Sequence, residues 1–285
     1  MTFANQEVLE FYKALPFNYQ QSAADQARAI RQRNSLAAYP PLIPYLTPQA
    51  RVLEVGCGTG WLSNAIAHYH GSQVLGIDFN PVAVERARAV AEVLRLGSEF
   101  RVEDLFQFEP ERPFDLVLSL GVLHHTDNCQ VGVRRVFEHF LAPGGHAFIG
   151  LYHRYGRLPF LEHFQQMQAA GADEAALFAR YRRMNPQLRD DVQARSWFRD
   201  QVLHPHETQH TLAEMLELID ESAMELVSTS INRFEPIESI QRLLEEERGY
   251  RDIALERLRE DRYFPGFFLF LARKKDTLSR SSGLQ

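Results

Sequence analysis

Three carboxylates, Glu54, Asp78 and Asp104, each stand at or beside the end of a short apolar run. An ionised carboxylate only accepts hydrogen bonds, so this set suits a ligand that presents hydroxyl, amino or ammonium donors. Glu54 is followed by glycines at alternate positions: Gly56, Gly58 and Gly60. Glycine accepts positive φ and lets a backbone approach a ligand closely. An acid beside this turn favours a ligand with a cationic amino group over a pyrophosphate, which it would repel.

The elements that position these acids alternate between strand-like and helical patterns. The segment 51–60 indicates a strand, a tight turn and then a helix from Trp61. Further strands are predicted at 73–78, 100–104, 114–121, 146–152, 225–231 and 267–272. Strands that alternate with helices predict a parallel sheet covered on both faces, which binds ligands outside the carboxyl ends of its strands. Gly121 also lies at such an end.

The domain organisation follows from where this alternation is interrupted. We predict an N-terminal helical cap over 1–45, a core over 46–153 and 207–273, and a disordered polar tail over 274–285. Two helical insertions, 154–206 and 232–264, are too long for simple crossovers and indicate a lid over the substrate. The cap is rich in aromatics and either packs against the sheet or closes over the ligand; the sequence leaves both possibilities open.

The bulk composition narrows the class of protein. The 285 residues are 45% hydrophobic and 24% charged, which is typical of a globular enzyme, and no apolar run is long enough to span a membrane. The net charge of −6 argues against a nucleic-acid binder. Cys57 and Cys129 show no metal-ligand spacing and indicate reduced thiols, so we expect a cytoplasmic protein. The oligomeric state stays open.

The motifs together resemble those of the class I S-adenosylmethionine-dependent methyltransferases. The matching stretches are Glu54 to Gly60, Asp78, the pair at 103–104 and Leu141-Ala-Pro-Gly-Gly145. The resemblance implies a Rossmann-like α/β fold, with helices on both faces of a mostly parallel seven-stranded sheet whose last strand is inserted antiparallel. It also implies S-adenosylmethionine as the cofactor.

The resemblance also assigns roles to individual residues. Glu54 would orient the cofactor ammonium, Asp78 would accept from both ribose hydroxyls, and Asp104 would receive the adenine amino group. Gly56 and Gly58 would pack against the methionine part. The remaining cofactor contacts predicted in this way are Gly60, Phe79, Leu105, Phe106 and Gly121.

The acceptor side is predicted from position alone. Candidate bases after the fourth and fifth strands are His124, His125 and His153, since histidine titrates in the useful range. One of the paired histidines is better explained as a structural residue or a cofactor-side contact than as a base. Predicted substrate contacts are Tyr12, Tyr19, Tyr152, Arg154 and Arg157, with the arginines as anchors for a carboxylate or phosphate, or else as solvated surface residues. A metal role for the segment 204–210 is rejected because its spacing fits no common zinc site.

The predicted function is methyl transfer from S-adenosylmethionine to a small-molecule acceptor. Three alternatives remain at this point: an RNA-modifying methyltransferase, a nicotinamide-dependent oxidoreductase and a catalytically silent cofactor-binding partner protein. The RNA alternative depends on arginines in the first insertion, which acidic residues interleave. These arginines are Arg180, Arg182, Arg183 and Arg189. The sequence identifies neither the acceptor nor the atom that is methylated.

Overall fold

The computed structural model describes residues 6–18, 20 and 22–276. The prediction for Tyr19 and most of the predicted tail therefore fall outside the described residues. The strands are β1 Arg51–Val55, β2 Gln73–Asp78, β3 Glu99–Val102, β4 Phe114–Leu120, β5 Leu141–Tyr152, β6 Met224–Thr229 and β7 Phe267–Lys274. The helices are α1 Gln6–Ala14, α2 Ala23–Gln32, α3 Trp61–His70, α4 Pro81–Leu94, α5 Cys129–Arg135, α6 Arg154–Ala169, α7 Glu174–Met184, α8 Asp191–Val202, α9 Leu212–Glu221, α10 Ile240–Arg248 and α11 Tyr250–Arg259.

The strands form one seven-stranded sheet in the order β3-β2-β1-β4-β5-β7-β6. Strands β1 to β5 pair in parallel, whereas β7 lies antiparallel between β5 and β6. The strand order reverses at β1: β2 and β3 are added on one side of it, and β4 and β5 on the other. This point is the topological switch point of the sheet. This architecture confirms the predicted fold class, and it brings the carboxyl ends of β1, β2, β4 and β5 to one edge.

Alternate residues of the central strands supply two hydrophobic cores. In β1, Leu53 packs into the core that contains α5 and α9, and Val52 packs into the core that contains α3. Phe137 and Phe148 are fully buried on these two faces. Burying a side chain of this size stabilises the fold by about 1.5–3 kcal/mol. The sheet is therefore held rigidly enough to fix the positions of residues at its edge.

Local sequence signals account for several helix starts. Pro81 occupies the first turn of α4, and the preceding Asn80 accepts the backbone N–H of Val82 at 3.0 Å. Thr211 and Glu214 form the reciprocal capping box at the start of α9. Each such cap contributes about 1 kcal/mol by satisfying an otherwise unpaired N–H group.

The boundaries of β5 and β3 differ from the predicted ones. β5 begins at Leu141 rather than at residue 146, and its pairing with β4 shifts register between Phe114 and Leu116. The segment Pro143-Gly-Gly lies in this stretch, where a residue without an N–H and a left-handed Gly144 (φ 73°) interrupt regular pairing. β3 ends at Val102, so Asp104 follows the strand instead of ending it.

Helices α6 to α8 and α10 to α11 occupy the two segments that were predicted as insertions. Helices α6 to α8 share a small core with Leu258 of α11 and with Tyr263, whose ring lies 5.7 Å from that of Phe160 and 6.0 Å from that of Tyr181. Leu243 of α10 packs instead into the core that contains α5 and α9. Because Tyr263 comes from the second segment, the two segments pack against each other beside the sheet. The described residues include no helix long and apolar enough to cross a membrane.

Candidate functional site

A cavity of about 520 Å³ opens at the carboxyl ends of β1, β2, β4 and β5. The glycine turn after β1 forms part of its wall, and residues of α1 and α8 lie on the opposite side. Among the described residues, none of those that line it is lysine or arginine, whereas Glu54, Asp78, Glu103, Asp104 and Asp200 all line it. The cavity is therefore acidic at physiological pH.

Glu54 lies at the end of β1 and is 6% exposed. Its Oε2 accepts the backbone N–H of Ser63 at 2.9 Å and also the Ser63 hydroxyl, so the start of α3 holds this carboxyl in place. Burial raises the pKa of Glu54 to about 7, against the opposing effect of the two Ser63 bonds. A ligand ammonium in the cavity would favour the ionised form.

Asp78 lies at the end of β2 and fastens the glycine turn. Its Oδ2 accepts the N–H of Gly58 at 2.8 Å, and its Oδ1 accepts the N–H of Asn80 at 2.9 Å. Asn80, not Asp78, caps α4. Each carboxylate oxygen can accept a second bond, so the pair of oxygens suits a vicinal diol. Burial raises the pKa of Asp78, and the two backbone bonds partly offset that effect.

The three glycines of the turn are required for different reasons. Gly56, Gly58 and Gly60 all have positive φ, of 72°, 51° and 76°. A Cβ on Gly56 would stand 2.3 Å from Cγ2 of Val122, and one on Gly60 would stand 2.8 Å from Cβ of Ala87. A Cβ on Gly58 would meet no heavy atom within 4 Å. Gly58 therefore leaves open space beside the cavity. Gly60 does not line the cavity, so its predicted cofactor contact is replaced by a packing role.

Asp104 follows β3, where its Oδ1 accepts the N–H of Phe106 at 2.9 Å. This bond makes Asp104 a turn residue, and it also lines the cavity. The neighbouring apolar residues that line the same part of the cavity are Phe79, Leu105 and Phe106. These apolar side chains, with the carboxylate of Asp104 as a hydrogen-bond acceptor beside them, suit an aromatic base with an exocyclic amino group. Gly121, with φ 77°, also lines the cavity.

The opposite end of the cavity is built around Asp200 of α8. Its Oδ1 accepts from the Tyr12 hydroxyl at 2.5 Å, and its Oδ2 accepts from Tyr152 at 3.2 Å and Gln201 at 2.6 Å. Tyr263 donates to Gln201 at 2.7 Å. These five residues come from α1, β5, α8 and the segment before β7, and all of them line the cavity. Tyr12 and Tyr152 were predicted here.

Sequence reasoning missed Asp200, Gln201 and Tyr263. They lie in the helical insertions, where acids and aromatics occur at many positions and nothing local marks these three. The one available signal was the cluster Trp197 to Gln201, in which large aromatics adjoin polar residues on a single helix.

Of the three candidate histidines, the structure brings His125 to the cavity. Its Nδ1 lies 2.9 Å from the carbonyl of His206, so this nitrogen carries the proton and donates. Nε2 of His125 is buried and has no hydrogen-bond partner among the described residues. Burial lowers the pKa of His125 to about 4, so the ring is neutral at pH 7 and Nε2 offers a free lone pair. The ring of His204 stacks on it at 3.7 Å.

His124 and His153 do not line the cavity. Nδ1 of His124 accepts the N–H of Tyr152 at 3.2 Å, which ties the loop after β4 to β5. Nδ1 of His153 accepts the N–H of Gly156 at 3.2 Å, and its Nε2 bonds to Glu247 at 3.0 Å. Both nitrogens of the fully buried His153 are thus used in capping α6 and joining it to α10. In this geometry neither ring nitrogen of His153 faces the cavity, so the structure gives no support to its predicted role as a base.

Both arginines predicted as anion anchors are already paired within the protein, and neither lines the cavity. Arg157 is fully buried, and its Nε and Nη2 donate to the two oxygens of Glu207 at 3.0 and 2.8 Å. Arg157 also donates to Gln201 and lies over the ring of Tyr152, 4.1 Å from its centroid. Arg154 is half-exposed and pairs with Glu214 at 2.5 Å.

The segment 204–210 makes structural contacts with Arg157 and with the loop after β4. Glu207 neutralises Arg157, and the N–H of Thr208 donates to the His124 carbonyl at 2.8 Å. Among the described residues, no group of three or more His, Cys, Asp or Glu is arranged to hold a metal ion.

The cavity lies at the switch point of the sheet, where open α/β sheets bind their ligands. Residues 52–145, about a third of the chain, match a family model described as a methyltransferase domain. This match and the sheet topology agree with the predicted class I S-adenosylmethionine-dependent methyltransferase superfamily. S-adenosylmethionine is the cofactor of that superfamily.

Individual relatives support the same placement. A ubiquinone biosynthesis O-methyltransferase of Xanthomonas campestris pv. campestris (strain B100) is 36% identical over 109 residues, which are 38% of this chain and 45% of that protein. The chain thus spans about half the length of the relatives it matches. PKMT2 from Rickettsia typhi, solved with S-adenosylhomocysteine, shares the fold with a TM-score of 0.57 at 16% identity, over 85% of this chain and 54% of that one. Magnesium protoporphyrin IX methyltransferase from Synechocystis PCC 6803 has a TM-score of 0.51 at 17% identity, over 88% of this chain and 86% of that one.

Proposed function

We propose that this protein transfers the methyl group of S-adenosylmethionine to a small-molecule acceptor bound at the Asp200 end of the cavity. The observation that carries the proposal is the convergence of Glu54, Asp78 and Asp104 on one cavity from three neighbouring strand ends. Each acid is an acceptor opposite a donor of the cofactor: the ammonium, the ribose diol and the adenine amino group. When bound, S-adenosylmethionine supplies an electrophilic methyl group on a sulfonium sulfur.

The protein's contribution is to hold and to shield the reacting groups. Asp78 and the turn at Gly58 hold the ribose side, and Glu54 holds the amino acid side. Residues of α1 and α8 cover the cavity and exclude water, which strengthens electrostatic contacts within it. His125 accepts a hydrogen bond from the acceptor at Nε2 and so orients it. Positioning of this kind is the main catalytic resource for a displacement with a good leaving group.

Two observations favour a small molecule over RNA as the acceptor. Three of the four arginines that suggested a basic patch in the first insertion are engaged by acids: Arg180 and Arg183 pair with Asp261, and Arg182 pairs with Asp191. The cavity itself has no arginine or lysine among its described lining residues. The relative from Xanthomonas campestris is named as an enzyme of ubiquinone biosynthesis, which also agrees with a small acceptor.

Calorimetry with S-adenosylhomocysteine tests the cofactor assignment. Asp78→Ala removes both ribose acceptors, and bonds to charged groups contribute about 1.5–3 kcal/mol each, so we expect at least a roughly tenfold loss of affinity. Asp220→Ala, an exposed acid of α9, is the matched control and should bind like the parent. NAD⁺ should not bind the parent at comparable concentrations. Tight NAD⁺ binding, or unchanged affinity in Asp78→Ala, would refute the assignment.

A further inference from the structure

The acceptor end of the cavity combines aromatic rings with hydrogen-bond acceptors and contains no cation. The aromatic residues that line this end are Tyr12, Phe17, Tyr152, Trp197, Tyr263 and Phe267. Asp200 is the carboxylate among them. Of the four acids at the other end, Glu54, Asp78 and Asp104 are matched by donors of the cofactor, and none of those donors is assigned to Asp200. Its negative charge therefore lacks a partner in the proposed complex.

Asp200 is 6% exposed and forms no ion pair with any described residue. The donors that reach it are the neutral groups of Tyr12, Tyr152 and Gln201. Arg157 is near enough to influence Asp200, but both oxygens of Glu207 already neutralise it. Burying a carboxylate is costly unless it is paired, and burial accordingly raises the pKa of Asp200. An incoming cation would relieve this cost.

A second acceptor faces the same end of the cavity. Nε2 of His125 is buried without a partner among the described residues, and its ring lies 6.3 Å from that of Tyr12 and 5.6 Å from that of Tyr152. A buried acceptor without a donor is a rare feature, and a ligand donor is one of the few groups that can satisfy it. Asp200 Oδ1, which the Tyr12 hydroxyl alone occupies among the described donors, can accept one further bond.

We propose that the methyl acceptor is an amine that binds as its ammonium ion, with Asp200 as its counter-ion and His125 Nε2 as a second acceptor for its N–H groups. Before transfer, the ammonium gives one proton to the Asp200 carboxylate, which frees the nitrogen lone pair. This lone pair forms the N–C bond to the methyl group as the C–S bond breaks, and S-adenosylhomocysteine is the leaving group. This inference rests on the proposed methyltransferase function and adds the chemical class of the acceptor. The surrounding aromatic rings stabilise a cation by cation–π contacts. A carboxylate or phosphate would meet repulsion from Asp200 with no arginine or lysine to offset it. An alcohol would satisfy the acceptors but leave the charge of Asp200 unbalanced.

The test measures binding to protein saturated with S-adenosylhomocysteine, so that failure of the cofactor assignment is seen first and separately. Phenethylamine, 2-phenylethanol and 3-phenylpropionate are compared by calorimetry, together with a fragment set of amines, alcohols and carboxylates matched by carbon skeleton. We expect amines to be the class that binds, with at least tenfold tighter dissociation constants than the matched alcohols. Carboxylates should not bind measurably.

Asp200→Asn removes the charge and keeps the shape. We expect it to weaken amine binding at least tenfold and to leave the affinity for S-adenosylhomocysteine within twofold of the parent. Asp191→Asn makes the same change at an exposed position of the same helix and should have no effect on either ligand. If Asp200→Asn does not fold, the preference of the parent protein for amines over the matched alcohols and carboxylates decides the question alone. Equal binding of alcohols, preferential binding of carboxylates, or no amine binder while S-adenosylhomocysteine binds would overturn the proposal.

Discussion

The protonation state of Glu54 depends on whether a cationic ligand is bound. The sheet and α3 bury its carboxyl, and burial raises the pKa to about 7 even though Ser63 donates two hydrogen bonds. The free protein therefore carries this group partly protonated at neutral pH. An ammonium group bound nearby favours the ionised form and must lower the pKa again.

This linkage predicts that cofactor binding releases a proton. Below pH 7 Glu54 is mostly protonated in the free protein and ionised in the complex, so affinity for S-adenosylhomocysteine should rise with pH. Between about pH 6 and pH 7 we expect roughly a fivefold gain if the pKa in the complex lies below 6. Calorimetry in phosphate and in imidazole buffers, whose ionisation enthalpies differ, counts the protons released.

Glu54→Gln is the control for this proton count. It should bind more weakly, release no proton at this site and lose the pH dependence over the same interval. Identical proton release by the parent and by Glu54→Gln would show that another group titrates.

At the scale of elements, the glycine turn after β1 joins the sheet to the ligand. The N–H groups of Gly56 and Cys57 both donate to the carbonyl of Ile77 in β2, at 2.8 and 3.0 Å, so the turn is fixed to the neighbouring strand. Gly56 lies against Val122, the second residue after β4, whereas Gly58 faces open space. One glycine therefore serves packing and the other serves ligand approach.

The alanine variants of these two glycines should separate stability from binding. Both place a side chain at positive φ, which costs about 1–2 kcal/mol. Gly56→Ala adds a clash with Val122 and should lose clearly more free energy of unfolding, measured by urea denaturation, than Gly58→Ala. Gly58→Ala should stay folded and bind S-adenosylhomocysteine at least tenfold more weakly.

Val122→Ala provides the internal check. It should recover part of the stability lost in Gly56→Ala and none of that lost in Gly58→Ala. Equal destabilisation of the two glycine variants would mean that backbone strain alone, and not contact with Val122, decides the cost.

At the scale of the whole molecule, the N-terminal segment connects the cavity to the first insertion. The chain has two tryptophans, Trp61 of α3 and Trp197 of α8, and both line the cavity. The indole N–H of Trp61 donates to the backbone carbonyl of Asn18, and that of Trp197 donates to its side chain, each at 3.1 Å. Tyr12 reaches Asp200 from the same segment. These contacts support the closing role over the simple packing role.

Deletion of residues 1–20 tests that role. The two main cores of the sheet include no residue before Leu36, so the shortened protein should still fold. Both tryptophans should become more exposed, with red-shifted emission and stronger quenching by acrylamide, and S-adenosylhomocysteine should bind at least several-fold more weakly. Unchanged quenching and affinity would show that the segment does not cover the cavity.

The position of the three cofactor-side acids could be predicted from sequence because each acid lies at or just after the end of a predicted strand. Glu54, Asp78 and Asp104 follow or end predicted strands, and parallel strands that alternate with helices must bring those ends to one edge. The same regularity predicted a parallel sheet, which depends on interactions between residues that are near in sequence or in regular register. The seven-stranded order with an antiparallel β7 was implied by the resemblance to the methyltransferase family and not by this regularity.

The acceptor half was decided by tertiary structure. Tyr12 and Asp200 are 188 positions apart, and no periodic pattern relates a residue of α1 to one of α8. Arg157 was expected near the substrate, yet the fold encloses it with Glu207, 50 positions further along, and so converts an apparent anchor into a buried ion pair. In the same way, Nε2 of His153 is occupied by Glu247 and does not reach the cavity. Sequence shows which side chains can bind an ion or accept a proton, but only the packing of distant helices determines which of them remain unpaired and face the cavity.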